Sequence, residues 1–173
     1  MPENVETPFT PEDFDEFSRR RDENIVLGIN IGMEIEVRSR NFYQSVEKKL
    51  PTDKKILLKF LANEELDHLQ TLIAFRSALQ KNDSWIQLNE KQLRKIKTPK
   101  LYEGKGSVPF IEKNASDTDI ILSAMRAEKR TEEFYKRIEE KVRYLKAKMF
   151  FDLLARFERK HYDLLTTVLT STK

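Results

Sequence analysis

The sequence predicts an all-α fold, a four-helix bundle of two repeated helix pairs joined by a long crossover. Three observations lead there. Charged residues make up 35% of the 173 residues while glycines number only 4, a composition of long, solvated helices rather than of strands and tight turns. Apolar residues recur at helical spacing through four long stretches. The two halves of the chain also repeat. Glu36, Arg38, Phe42-Tyr43 and Glu47 fall on Glu128, Arg130, Phe134-Tyr135 and Glu139 at an offset of 92, and Leu61-Ala62, Glu65, His68 and Leu72 fall on Leu154-Ala155, Glu158, His161 and Leu165 at an offset of 93. A duplicated helix pair exposes an apolar stripe that it cannot bury alone, so the two pairs pack face to face. Polar residues recurring at equal places in both stripes then meet at a pseudo-twofold axis.

Taken in order, residues 1–23 read as an N-terminal extension and residues 24–173 as the bundle. Thr10-Pro11-Glu12-Asp13 has the pattern of a helix cap, with Pro at the first helical position, and predicts a short helix to about residue 20. The first bundle helix spans about 24–50, with Ile25, Ile29, Met33, Glu36, Phe42, Tyr43 and Val46 on its inner face, and Pro51 stops it. Thr52 or Asp53 caps a second helix reaching about residue 81, whose inner face holds Leu57, Leu58, Leu61, Glu65, His68, Leu72 and Phe75. Residues 82–117 form the crossover, with Pro99, Gly104, Gly106 and Pro109 and a short helix at about 88–96. Ser116, Asp117 and Thr118 supply caps for a third helix at about 119–144, and a fourth spans about 147–169, with the turn near Leu145.

Composition excludes several classes of function. The net charge is only +3, and the Lys and Arg residues are spread along helix faces beside acidic neighbours, so no nucleic-acid surface is expected; the basic stretch 91–100 reads as a solvated connector. The chain has no cysteine, so it holds no disulfide, no thiol nucleophile and no rubredoxin-type iron site. Residues 1–17 carry six acidic residues and no basic one, the opposite of a secretory signal. No apolar run approaches the length of a membrane span. The expected location is the cytoplasm.

The only two histidines end the same tetrapeptide pattern, Glu65-Leu66-Asp67-His68 and Glu158-Arg159-Lys160-His161. A Glu and a His three apart share one helix face. Each pair has a lone Glu upstream: Glu36 precedes Glu65 by 29 residues, and Glu128 precedes Glu158 by 30. Four Glu and two His in this order make the ligand set of a two-metal carboxylate site inside a four-helix bundle. Two divalent ions balance four carboxylates, and neutral imidazoles add nitrogen donors without charge, which suits a low-dielectric core. Glu65 and Glu158 are placed to bridge, Glu36 and Glu128 to serve one metal each, and His68 and His161 to close the two ends. Glu64 also lies one turn from His68, but the other half has Phe157 in its place, so Glu65 is the ligand. Tyr43 and Tyr135 follow Glu36 and Glu128 by two turns and can donate hydrogen bonds to carboxylates, or simply pack in the core. A metal-free network of the same residues would be poor in donors against four carboxylates.

With these residues in place, the chain resembles the ferritin-like di-iron carboxylate superfamily, and within it the rubrerythrin branch, over about residues 24–170. The motif is Glu36, Glu65-x-x-His68, Glu128 and Glu158-x-x-His161, with Phe-Tyr after each lone Glu. The resemblance implies two iron ions, with manganese as the alternative, in an oxidoreductase that reacts with hydrogen peroxide or dioxygen. It also implies a homodimer. Rubrerythrins append a cysteine-rich rubredoxin domain; without cysteine, electrons have to come from a separate donor. They also carry an extra Glu one turn from the third-helix ligand, where Met125 and Thr131 stand here, with Glu132 nearby at i+4. The rival readings are a ferroxidase or iron-handling protein, a dimanganese catalase, and a metal-free helical module that binds a partner.

Overall fold

The structure is a computed structural model and describes residues 23–79 and 113–171. The expected N-terminal helix, the basic stretch 91–100, the short helix at 88–96 and most of the crossover lie outside the described residues. Those described form four long helices: α1 (Glu23–Val46), α2 (Thr52–Leu79), α3 (Asp117–Lys141) and α4 (Leu145–Thr170). The fold is an all-α, ferritin-like bundle with no strand among the described residues.

Local sequence accounts for most of the boundaries. After α1 the chain tightens into a 3-10 turn, Glu47–Lys49, and Leu50 turns extended at φ −103° and ψ 153°, because a residue preceding proline is pushed out of the helical region. The helix thus ends a few residues before the expected stop. The Lys55 amide donates to the Pro51 carbonyl, so α2 starts directly after the proline, with Thr52 and Asp53 inside its first turn rather than outside as caps. Ser116 caps α3: its Oγ accepts from the Asp119 amide, and the Asp119 carboxylate accepts in return from the Ser116 amide. That box starts α3 at Asp117, two residues earlier than its apolar periodicity suggests. The turn between α3 and α4 lies at residues 142–144, next to the expected place near Leu145, which itself opens α4. It contains neither Gly nor Pro. Val142 instead adopts an extended conformation and buries its side chain in the core, and this anchors the reversal.

The core is two apolar clusters stacked along the bundle axis. One holds Ile25, Ile29, Leu72, Phe75, Ile138, Phe150 and Phe151; the other holds Phe42, Leu58, Leu61, Ile120, Ile121 and Leu165. α1 and α4 run from the first cluster to the second, while α2 and α3 run from the second to the first. α2 and α3 therefore start at the same end, where Lys54 Nζ lies 3.3 Å from the Asp117 carboxylate. Each helix passes between the clusters at its Glu and His positions: at Glu36, at Glu65–His68, at Glu128 and at Glu158–His161. Leu57 is the one residue expected on the inner faces that stays partly exposed.

Close helix approach depends on Gly28 in α1. A Cβ there would lie 2.7 Å from both Ile138 Cγ2 and Phe151 Cζ, atoms already packed in the core. Gly28→Ala is therefore expected to destabilise the chain by about 1–2 kcal/mol, overpacking outweighing the better helix propensity of Ala. Asn30→Ala, at an exposed position of the same helix, should raise stability by roughly half a kcal/mol. Thermal melts of the two variants check both signs.

Candidate metal centre

Six side chains meet in the layer between the clusters. Glu36, Glu65 and Glu158 are completely buried, and Glu128, His161 and His68 retain at most 5% exposure. The helical i,i+3 spacing points Glu65 and His68 the same way on α2, and Glu158 and His161 the same way on α4; the lone Glu residues enter from α1 and α3. His68 Nδ1 lies 3.2 Å from Glu158, 3.3 Å from Glu65 and 3.6 Å from Glu36. His161 Nδ1 lies 3.5 Å from Glu65, 3.6 Å from Glu128 and 4.0 Å from Glu158. One ligand atom from each of Glu36, Glu65, His68 and Glu158 falls within 4.8 Å of the others, and the same holds for Glu65, Glu128, Glu158 and His161. Two four-residue groups thus lie side by side, and Glu65 and Glu158 belong to both.

The tyrosines cross the bundle. Tyr43 on α1 donates to the Glu128 carboxylate on α3, and Tyr135 on α3 donates to the Glu36 carboxylate on α1. Both are almost completely buried, so each closes the polar layer against one apolar cluster. Gly32 makes room for this contact on one side: a Cβ there would meet the Tyr135 hydroxyl at 3.0 Å. The glycine, one turn before Glu36, is the sequence signal that such a close approach leaves.

Two hydrogen bonds do not satisfy the layer. Eight of its side-chain atoms are buried without a hydrogen-bond partner: Glu36 Oε2, Glu128 Oε2, both oxygens of Glu65 and of Glu158, and Nδ1 of each histidine. Orphaned buried acceptors on this scale need explaining. Convergent carboxylates with imidazole nitrogens at both ends are the donor set of first-row divalent metals, so the residues fit such ions.

The chain belongs to the rubrerythrin family. The family model for rubrerythrin matches residues 27–169, which include all six residues and both tyrosines. Comparison with curated proteins and with solved structures gives no match. Within the family frame, Glu132 is settled by its neighbours. It is buried, but its carboxylate accepts from Lys129 Nζ at 3.0 Å and Lys136 Nζ at 2.5 Å, and it belongs to neither four-residue group. Burial pushes its pKa up, yet the two ammonium groups outweigh burial and hold it below the usual value. Thr131 is also buried, and its hydroxyl donates back to the Ala127 carbonyl at 3.1 Å. A contact the sequence did not signal is the ring stack of Phe157 on His68, with centroids 5.0 Å apart, continued by His68 on His161 at 5.3 Å. Aromatic residues at helical spacing look alike whether they pack on core or on a ligand.

Burial, and then the charges packed around each group, decide the protonation of the metal-free layer. Burial, reinforced by the Glu65 charge, pushes Glu36 up to about 8. Burial and the charges of Glu65, Glu36 and Glu128 push Glu158 well above its usual range. Burial also opposes ionisation of Glu65, but the imidazoles of His161 and His68 outweigh it and hold Glu65 low. Burial opposes charge on the histidines as well, and the surrounding carboxylates overcome it, raising His161 to about 11 and His68 well above its usual value. Burial and the Glu36 and Glu158 charges raise Tyr135 well above its usual value, so its hydroxyl keeps the proton that it donates.

Groups with raised folded-state pKa values contribute stability at low pH and lose it as pH climbs through those values. The metal-free chain should therefore lose thermal stability as pH rises from about 6 to about 9, through the titration of Glu36. Low-lying Glu65 acts oppositely, and only in acid. Bound metal needs deprotonated ligands, so the metal-loaded chain should show the reverse trend over the same range. Melting curves of chelator-treated and Zn(II)-loaded protein at the two pH limits test the crossing.

Proposed function

We propose that the chain is a non-haem di-iron carboxylate oxidoreductase acting on hydrogen peroxide or dioxygen. The observation that carries this reading is the pair of adjacent four-residue groups sharing Glu65 and Glu158. Glu36 and His68 would complete the ligands of one ion and Glu128 and His161 those of the other, with Glu65 and Glu158 serving both. Two iron ions held there would supply the electrons that reduce an oxygen–oxygen bond; manganese is the alternative metal. The protein's own contribution is positional and electrostatic. Tyr43 and Tyr135 hold Glu128 and Glu36 in orientation, and the two apolar clusters keep bulk water from the layer. Because the chain has no cysteine to hold a rubredoxin-type iron, a separate electron donor is part of the reading, as are a homodimer and a cytoplasmic location. Among the described residues no helix is long and apolar enough to cross a membrane.

Two experiments test the proposal. Protein loaded anaerobically with two Fe(II) per chain is mixed in a stopped-flow instrument with hydrogen peroxide or with dioxygen. Much faster oxidation by peroxide supports the peroxidase form; comparable or faster oxidation by dioxygen favours a ferroxidase that handles iron. His68→Ala and His161→Ala should each weaken binding of one ion by at least about 10–100-fold, the cost of losing even a group that only orients a ligand, while leaving helicity intact. Unchanged binding of two ions in both variants would sink the ligand assignment.

A further inference from the structure

We infer that Glu64, His68 and His161 form an outer cation position through which transition-metal ions reach the buried layer. The inference rests on the metal-centre reading above but concerns a residue outside it. One ligand atom from each of the three lies within 4.8 Å of the others. Oxygen and nitrogen ligands sit about 2.0–2.2 Å from a bound Zn(II), so donors around one ion are at most about 4.4 Å apart. Small side-chain adjustments close these three on one ion.

The position has a direction. Glu64 is part-exposed, whereas the four carboxylates of the inner layer are buried and two apolar clusters seal that layer along the bundle axis. An ion therefore arrives from the side, and the two histidines are the least buried of the six inner residues. They are also the only residues common to the inner groups and the outer one. The repeat strengthens the point. Glu64 corresponds to Phe157 at the offset of 93. Phe157 covers the His68 ring, and Lys160 Nζ stands 5.6 Å over the Phe157 ring. An aromatic face topped by a cation repels a metal ion; the equivalent place in the other half offers a carboxylate. The two halves match in their inner ligands and differ here, as a single loading side requires. The His68–Phe157 and His68–His161 ring planes lie within 18° of parallel, so the stack holds both imidazoles in a fixed orientation between the outer and inner positions.

The test follows Co(II) uptake by metal-free protein in a stopped-flow instrument, through the visible absorption of bound Co(II). Glu64→Ala is expected to load about tenfold more slowly than wild type and to reach the same two ions per chain. Uptake of two ions at the wild-type rate in Glu64→Ala overturns the outer position alone. Failure of wild type to take up Co(II) overturns the inner centre too. A second variant, Glu65→Leu with Glu158→Leu, removes both shared carboxylates. In crystals soaked with Zn(II), anomalous scattering should then place an ion against Glu64, His68 and His161. An ion found only beside Glu36 or Glu128, or none at all, overturns the inference.

Discussion

Four carboxylates buried in one layer are the constraint on which the rest of this structure depends. Taking a carboxylate out of water is costly unless it is paired, and here four converge within a few ångströms. The chain supplies little to offset that cost: one tyrosine hydroxyl each for Glu36 and Glu128, and two imidazoles for the whole set. A cluster so short of donors either keeps protons on some of its carboxyls, as burial of Glu36 and Glu158 favours, or takes cations that its donor set fits. The helices obey the same constraint, since all four cross from one apolar cluster to the other at these Glu and His positions, so that polar meets polar and the apolar stripes close above and below.

The duplication makes the layer nearly symmetric, and the departures from symmetry are informative. Tyr43 and Tyr135 exchange equivalent hydrogen bonds between α1 and α3. Gly32, however, lies under Tyr135 while Ala124 holds the corresponding place in the other half. Thr131 and Glu132 stand near Glu128 but turn away, one to a backbone carbonyl and the other to two lysines. The buried layer therefore keeps a plain set of four carboxylates and two imidazoles. Asymmetry is concentrated where the layer approaches solvent, at Glu64 and Phe157.

Much of this was legible in the primary structure. The Glu-x-x-His pairs and the lone Glu at nearly equal distances upstream mark six residues without any knowledge of packing, because a 3.6-residue period puts positions three apart on one face. Helix ends were less legible. Pro51 announces a stop, but the 3-10 turn before it carries no signal of its own, and the burial of Val142 in a turn without Gly or Pro depends on packing in the core.

By itself, then, the sequence determined the helical class, the repeat and the identity of the residues that can share a polar layer, because each follows from local periodicity. Only the tertiary structure decided which helix faces which. The i+7 spacing sets Tyr43 on the face of Glu36, its own helix's residue, yet its hydroxyl reaches Glu128, 85 residues away. Packing also turned Nδ1 of both histidines toward the carboxylates, laid Phe157 against His68 and gave Glu132 to the lysines. These outcomes depend on how four amphipathic surfaces fit together, and no window of sequence shorter than the bundle contains that information.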